Sequence, residues 1–138
     1  MPAVKPFLDT CVPVYALTHG DRRQERAIEI LSGEGVISIQ ILNEFANVCQ
    51  RKLQLDWQKT VRALSNLYLF CPDPIELTLS LHQNGIQIAR RYGFSVYDGQ
   101  MVAAALEARC TTLYTEDLQH GQIIEGLRIV NPFLAAGS

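Results

Sequence analysis

No CxxC pair, no long apolar run and no excess of either charge occur in this sequence of 138 residues, and each absence removes a class of explanation. The cysteines, Cys11, Cys49, Cys71 and Cys110, are scattered, so the paired spacing of a zinc site is missing. They read as free thiols that pack like small hydrophobes in a reducing compartment. The first residues, Met1-Pro2-Ala3-Val4-Lys5-Pro6, hold no apolar segment of the signal-peptide kind. No run approaches the roughly 20 residues of a membrane span, so a cytoplasmic, soluble protein without membrane contact is expected. With 12 Lys and Arg against 14 Asp and Glu, the net charge is −2. No global positive field announces a nucleic-acid partner, and any such binding must rest on local basic patches or on a metal.

What is present suits a globular chain. Hydrophobic residues make up 48% and charged residues 19%, near the averages for folded domains and far from those of disordered ones. A chain of this length removes roughly two-thirds of its unfolded surface from water, enough to fold without disulfide or structural metal. One domain is expected over residues 1–134, with 135–138 a frayed tail.

Val4 to Leu8 reads as a short strand ending at Asp9, followed by a small turn near Cys11-Val12-Pro13. Arg22 to Leu31 reads as a helix stopped at Ser32-Gly33, and Val36 to Ile39 as a second, β-branched strand buried on both faces. From Ile41 to Lys52 the apolar residues Ile41, Leu42, Phe45, Val48 and Cys49 recur at helical spacing, with Glu44, Asn47 and Arg51 on a polar stripe. A further helix runs from Trp57 to Leu69, capped by Asp56, with Val61, Leu64, Leu67 and Tyr68 expected inward. A weak extended piece follows at Ile75 to Leu77. Thr78 to Tyr92 is helical despite Gly85, which costs about 1 kcal/mol relative to Ala, and Gly93 stops it. Ser95 to Ala108 is the last helix, and Thr111 to Tyr114 and Leu127 to Val130 are strands. Strands alternating with helices imply an α/β fold, a three-layer sandwich around a mostly parallel central sheet.

In an open parallel sheet ligands bind at the carboxyl ends of the strands. Asp9 ends the first strand, Glu44 lies about one turn into the helix after the second, Asp98 sits at a helix start, and Asp117 lies just past the strand at Thr111 to Tyr114. All four therefore point to one edge. Carboxylates crowded there repel and hold protons unless a cation intervenes. All-oxygen ligands suit Mg²⁺ or Mn²⁺ rather than Zn²⁺. Such an ion acidifies its water and shields charge on a phosphodiester, so an acidic site can act on a polyanion. Arg51 and Lys52 are candidates for holding the flanking backbone of such a polyanion. Simpler roles fit each residue singly: a strand-end turn for Asp9, a solvated helix face for Glu44, a capping box in Ser95-x-x-Asp98, and a turn start for Asp117.

Phe7-Leu8-Asp9-Thr10, Ile39-Gln40-Ile41-Leu42-Asn43-Glu44-Phe45, Ser95-Val96-Tyr97-Asp98 and Leu113-Tyr114-Thr115-Glu116-Asp117-Leu118-Gln119-His120-Gly121, with the closing Glu125 to Phe133, occur in this order. In them the chain resembles PIN-domain ribonucleases, and more narrowly the VapC-type toxins of toxin–antitoxin modules. The resemblance spans nearly the whole domain. It implies a PIN-like fold and a Mg²⁺- or Mn²⁺-dependent endoribonuclease with Asp9, Glu44, Asp98 and Asp117 as the acidic cluster. Thr10 and Thr115 resemble hydroxyl positions that orient the carboxylates or a metal-bound water. The partners it implies are RNA, a cognate antitoxin and a second copy of the chain in a homodimer. Two positions depart from the family pattern: Cys11 stands where Asn is common, and Gly99 where Ala is usual. The alternatives are a PIN nuclease of RNA processing without toxin function and a non-catalytic PIN-like module that binds a basic segment. A haloacid-dehalogenase phosphatase also opens on a strand-end Asp, but it wants a second Asp where this chain has Cys11.

Overall fold

The computed structural model describes residues 4–134, so the tail expected at 135–138 lies outside the described residues. Strand β1 is Phe7–Leu8, both side chains fully buried, so the strand is covered on both faces. Helix α1, Cys11–Leu17, occupies the stretch expected to be a small turn. Pro13, which suggested the turn, sits in the first helical turn, where no backbone N–H is needed. Helix α2 spans Gln24–Ser32 and turns Ala27, Ile30 and Leu31 into the core.

The second strand expected at Val36 to Ile39 is not a continuous strand. Val36 bridges Phe7 and Ser38 bridges Ile75, both in parallel, so this segment and the extended piece at Ile75 prolong the sheet only by isolated pairs. The physical reason is Ser38, whose hydroxyl accepts from Ile41 N at 3.3 Å and caps helix α3, Ile39–Arg51. The chain leaves the sheet as soon as the cap forms.

Helix α4, Trp57–Phe70, is capped by Asp56, which accepts from Lys59 N at 2.8 Å. Its buried face is Thr60, Ala63 and Leu67, and not the expected Val61 and Tyr68, which are 55% and 47% exposed. Small residues let α4 approach α3, where Gln50 Nε2 donates to Thr60 Oγ1 at 2.8 Å. The buried face is thus offset by about one residue from the purely apolar stripe.

Helix α5, Leu79–Tyr92, begins at the Thr78 cap and ends at Gly93 in the left-handed region, φ 74°. Helix α6, Val96–Glu107, is capped by Ser95 and buries every residue from Gly99 to Ala105. The two pack through their glycines. A Cβ on Gly99 would lie 2.4 Å from Gly85 O, and one on Gly85 would lie 2.8 Å from Gln100 Cα. Gly85 thus trades helix propensity for close backbone approach.

Strand β2, Thr112–Tyr114, pairs in parallel with β1 and with β4, Leu127–Val130. Strand β3, Ile123–Ile124, adds an antiparallel edge that was not expected from the sequence. Its turn to β4 is Glu125-Gly126, both at positive φ, as a two-residue hairpin requires. The sheet order is β1-β2-β4-β3, mostly parallel within a mixed α/β fold as expected. Cys11, Cys49, Cys71 and Cys110 are all free, and all but Cys11 are buried. Among the described residues no helix is long and apolar enough to cross a membrane.

Candidate acidic site

The parallel pairing of β1 with β2 decides where Asp9 goes. Asp9 N donates to Tyr114 O at 3.0 Å, and Thr115 N donates to Val130 O at 3.0 Å, so both residues stand at the carboxyl ends of adjacent parallel strands. Asp9 is only 5% exposed, and both of its carboxylate oxygens accept hydrogen bonds. Oδ2 takes one from Thr115 Oγ1 at 2.6 Å and Oδ1 one from Thr10 N at 2.6 Å. Burial nevertheless raises its pKa from 3.8 to about 6, with Asp117 and Glu44 adding to the rise and the two hydrogen bonds opposing it.

Glu44 reaches the same edge from α3. Its Oε2 accepts from Thr10 Oγ1 at 2.8 Å and its Oε1 from Gln40 Nε2 at 3.1 Å. Gln40 Nε2 also donates to Tyr97 O at 3.2 Å, which ties the start of α3 to the start of α6, where Asp98 lies. Asp98 is half-buried and its N–H donates to Ser95 Oγ at 3.1 Å. Burial raises its pKa, a separate side-chain hydrogen bond from Ser95 to the carboxylate lowers it, and the charge of Asp117 raises it again. Asp117 is exposed, and its N–H donates to Thr115 Oγ1 at 3.1 Å. Asp117 therefore acts on both Asp9 and Asp98, and Glu44 acts on Asp9. The cap at Asp98 and its membership of the acidic edge hold together, since one uses the backbone N–H and the other the carboxylate field.

No ion pair among the described residues neutralises this edge: the pairs are Lys5–Glu34, Arg23–Asp21 and Arg26–Glu29. Among the described residues, no three His, Cys, Asp or Glu side chains converge as a ready-made cage for a metal ion. An all-oxygen donor set with one buried, uncompensated carboxylate fits a hard cation held by one or two carboxylates and otherwise by water, as Mg²⁺ usually is.

Arg51 and Lys52 are exposed at the far end of α3, Arg51 about 10 Å beyond Glu44 along the helix axis. Cys11, beside Asp9, has its thiol pushed well above the usual range by burial and then by the Asp9 charge, so it stays neutral.

Three contributors went unnoticed in the sequence. Gln40 was legible as the i−4 neighbour of Glu44 on one helix face. Tyr15 OH donates to Glu116 Oε1 at 2.6 Å and accepts from Arg23 Nη1 at 2.7 Å; no local spacing announces a bond across 101 residues. Arg23 lies 4.0 Å over the Tyr15 ring and grips Asp21 through Nε and Nη2 at 2.8 and 2.7 Å, holding the Asp21 carboxyl down at about 2.

The family model described as PIN domain matches residues 7–124. The fold is similar to that of a toxin–antitoxin complex from Klebsiella pneumoniae, with TM-score 0.69, 22% identity, and coverage of 94% of this chain and 98% of that one. It is also similar to VapC20 of Mycobacterium tuberculosis, a sarcin-ricin loop cleaving toxin, with TM-score 0.66, 16% identity, and coverage of 88% and 98%. Among curated proteins none matches the sequence.

Proposed function

Because the chain belongs to the PIN domain family, we propose that it is a divalent-metal-dependent endoribonuclease that acts as the toxin of a toxin–antitoxin pair. The observation that carries this reading is Asp9, a buried carboxylate fixed by Thr115 and Thr10 and raised in pKa by burial, with Asp117 and Glu44 adding to the rise. A structural Asp would be expected to have a cationic partner or open solvent, and Asp9 is buried with no ion pair among the described residues.

In this reading Asp9, Glu44, Asp98 and Asp117 are the residues that would hold Mg²⁺ or Mn²⁺. When bound it acidifies water and offsets the charge developing on the phosphate. The chain's own contribution is orientation. Thr115 and Thr10 N fix both oxygens of Asp9, while Thr10 Oγ1 and Gln40 fix both oxygens of Glu44. These two carboxylates are thus aimed before any ligand arrives, which is how a site avoids reorganisation during reaction. Arg51 and Lys52, exposed at the end of α3, are proposed to meet phosphates of a longer strand. A cognate antitoxin and a second copy of the chain are the proposed protein partners, and the similarity in fold to a toxin–antitoxin complex supports the first.

The test is incubation of the purified protein with total RNA with and without Mn²⁺, beside Asp9→Asn. Metal-dependent cleavage by the native chain alone supports the reading. The lack of three converging ligands among the described residues favours one rival, a non-catalytic PIN-like module. A Mn²⁺ titration showing no binding at any carboxylate would decide for that rival. Growth arrest on expression, relieved by a small partner protein, separates a toxin from an RNA-processing enzyme.

A further inference from the structure

Beside the acidic edge the structure holds a second feature of opposite sign. Arg22, Arg23 and Arg26, around the start of α2, line a cleft of about 280 Å³ together with Pro132, Phe133 and Leu134. Its position relative to the carboxylates is fixed by short contacts. Tyr15 packs edge-on against Phe133 with ring centroids 4.8 Å apart. The same Tyr15 donates to Glu116, the residue before Asp117. The Arg26 guanidinium lies 6.0 Å from the ring of Tyr114, one residue before Thr115.

The arginines are not equivalent. Arg23 is committed to Asp21 and to the Tyr15 ring and hydroxyl, so it forms part of the wall. Arg22 is exposed and makes no ion pair among the described residues. Arg26 pairs with Glu29 at 2.9 Å, but the pair is open to water, its side chains 41% and 69% exposed. Such a pair contributes little, so Arg26 can exchange Glu29 for another anion. Two guanidinium groups are therefore available in a cleft that borders carboxylates.

We infer that this cleft binds the phosphates of the RNA strand next to the bond cleaved at the acidic edge, with Arg22 and Arg26 as the phosphate-binding groups and Arg23 as the residue that positions the wall. The inference rests on the ribonuclease reading above. Guanidinium forks match phosphate oxygens bidentately. A strand drawn toward carboxylates is repelled by them, and cations immediately alongside offset that repulsion. Arg51 and Lys52, at the far end of α3, meet only more distant phosphates.

The experiment uses full-length Asp9→Asn, so that RNA is bound without being cut, and a labelled single-stranded RNA of about ten nucleotides. Binding is followed by fluorescence anisotropy between about 50 and 300 mM KCl. Removing one cation that neutralises a phosphate reduces the slope of log K against log salt by about 0.7. Arg22→Ala should lower it by that amount and Arg22→Ala/Arg26→Ala by about twice as much, with affinity at about 100 mM KCl falling roughly 10-fold. Lys59→Ala, a charge removed from α4 outside the cleft, should leave the slope unchanged. Arg22 is exposed, so its single variant folds, and circular dichroism checks the double one. An unchanged slope in both variants overturns the inference, as does an absence of RNA binding by the Asp9→Asn protein. It is also overturned if the double variant keeps its RNA slope but loses binding to a glutamate-rich peptide, which makes the cleft a protein-docking surface. Cleavage of total RNA by the native chain, measured in parallel, separates the two readings. Intact Mn²⁺-dependent cleavage with an unchanged slope rejects only the cleft.

Discussion

Thr115 Oγ1 donates to Asp9 Oδ2 at 2.6 Å and accepts from Asp117 N at 3.1 Å. One buried hydroxyl thus couples carboxylate-bearing segments 106 residues apart in the chain. Thr115→Val keeps the shape and removes both bonds. The loss of a bond to the ionised form raises the Asp9 pKa further, and the Asp117 N–H loses its acceptor. The expected outcome is a stability loss of about 1–2 kcal/mol, a cleavage rate down at least roughly 10-fold, and a pH–rate profile whose acidic limb moves to higher pH. Thermal melts and rates across pH check all three, and an unmoved limb would count against the coupling.

Asp9→Asn removes the buried carboxylate at the centre of the proposed site while keeping its volume. Cleavage should fall by at least about 100-fold with circular dichroism unchanged. Undiminished metal-dependent cleavage by the purified variant defeats the assignment.

In the metal-free chain Asp9 holds its proton up to about pH 6 when folded, against an ordinary value of 3.8. The folded state therefore binds more protons than the unfolded state between those values. The resulting stability is full below the ordinary value and is lost as pH rises through about 6, by about 3 kcal/mol in total. Urea midpoints of native protein and Asp9→Asn between about pH 4 and 7.5 should diverge accordingly. Native protein alone should lose stability on that account.

Gly99 and Gly85 show where the sequence pattern misled and why. In isolation Gly99 reads as a loosened helix start and Gly85 as a helix defect. Only the packing of α5 on α6 reveals that a Cβ on Gly99 would meet Gly85 O at 2.4 Å. Gly99→Ala, which restores the usual family residue, should therefore destabilise the chain by about 1–3 kcal/mol through overpacking. A lowered melting temperature with the site chemistry otherwise intact is the expected result.

The parts of the fold that local chemistry dictates were legible: Asp56, Thr78 and Ser95 each start a helix where the sequence placed one, whereas the Ser38 cap was hidden inside the strand expected at Val36 to Ile39. The mostly parallel sheet followed from strands alternating with helices. The edge strand β3 and the reduction of Val36 to Ile39 to isolated bridges were not legible, because both are set by long-range pairing and carry little periodic signal. The same division runs through the site. Asp9, Glu44, Asp98 and Asp117 could be placed at strand and helix ends, whereas Tyr15 reaches Glu116 only through tertiary packing.

Metal binding and folding should be linked through the same carboxylates. A ligand that binds only the folded chain stabilises it by about 2.7 kcal/mol at a hundred times its dissociation constant. Mn²⁺ should thus raise the melting temperature of the native protein, and more at pH 7.5 than at pH 5, since at the lower pH the proton held by Asp9 competes with the ion. Glu44→Gln removes one negative donor while keeping Thr10 and Gln40 within hydrogen-bonding reach, so it should weaken the shift without abolishing it. Asp9→Asn should remove most of the shift together with its pH dependence. Differential scanning fluorimetry over a Mn²⁺ series, repeated after chelation with EDTA, measures each of these. A Mn²⁺ shift of equal size in all three proteins would place the ion elsewhere on the chain.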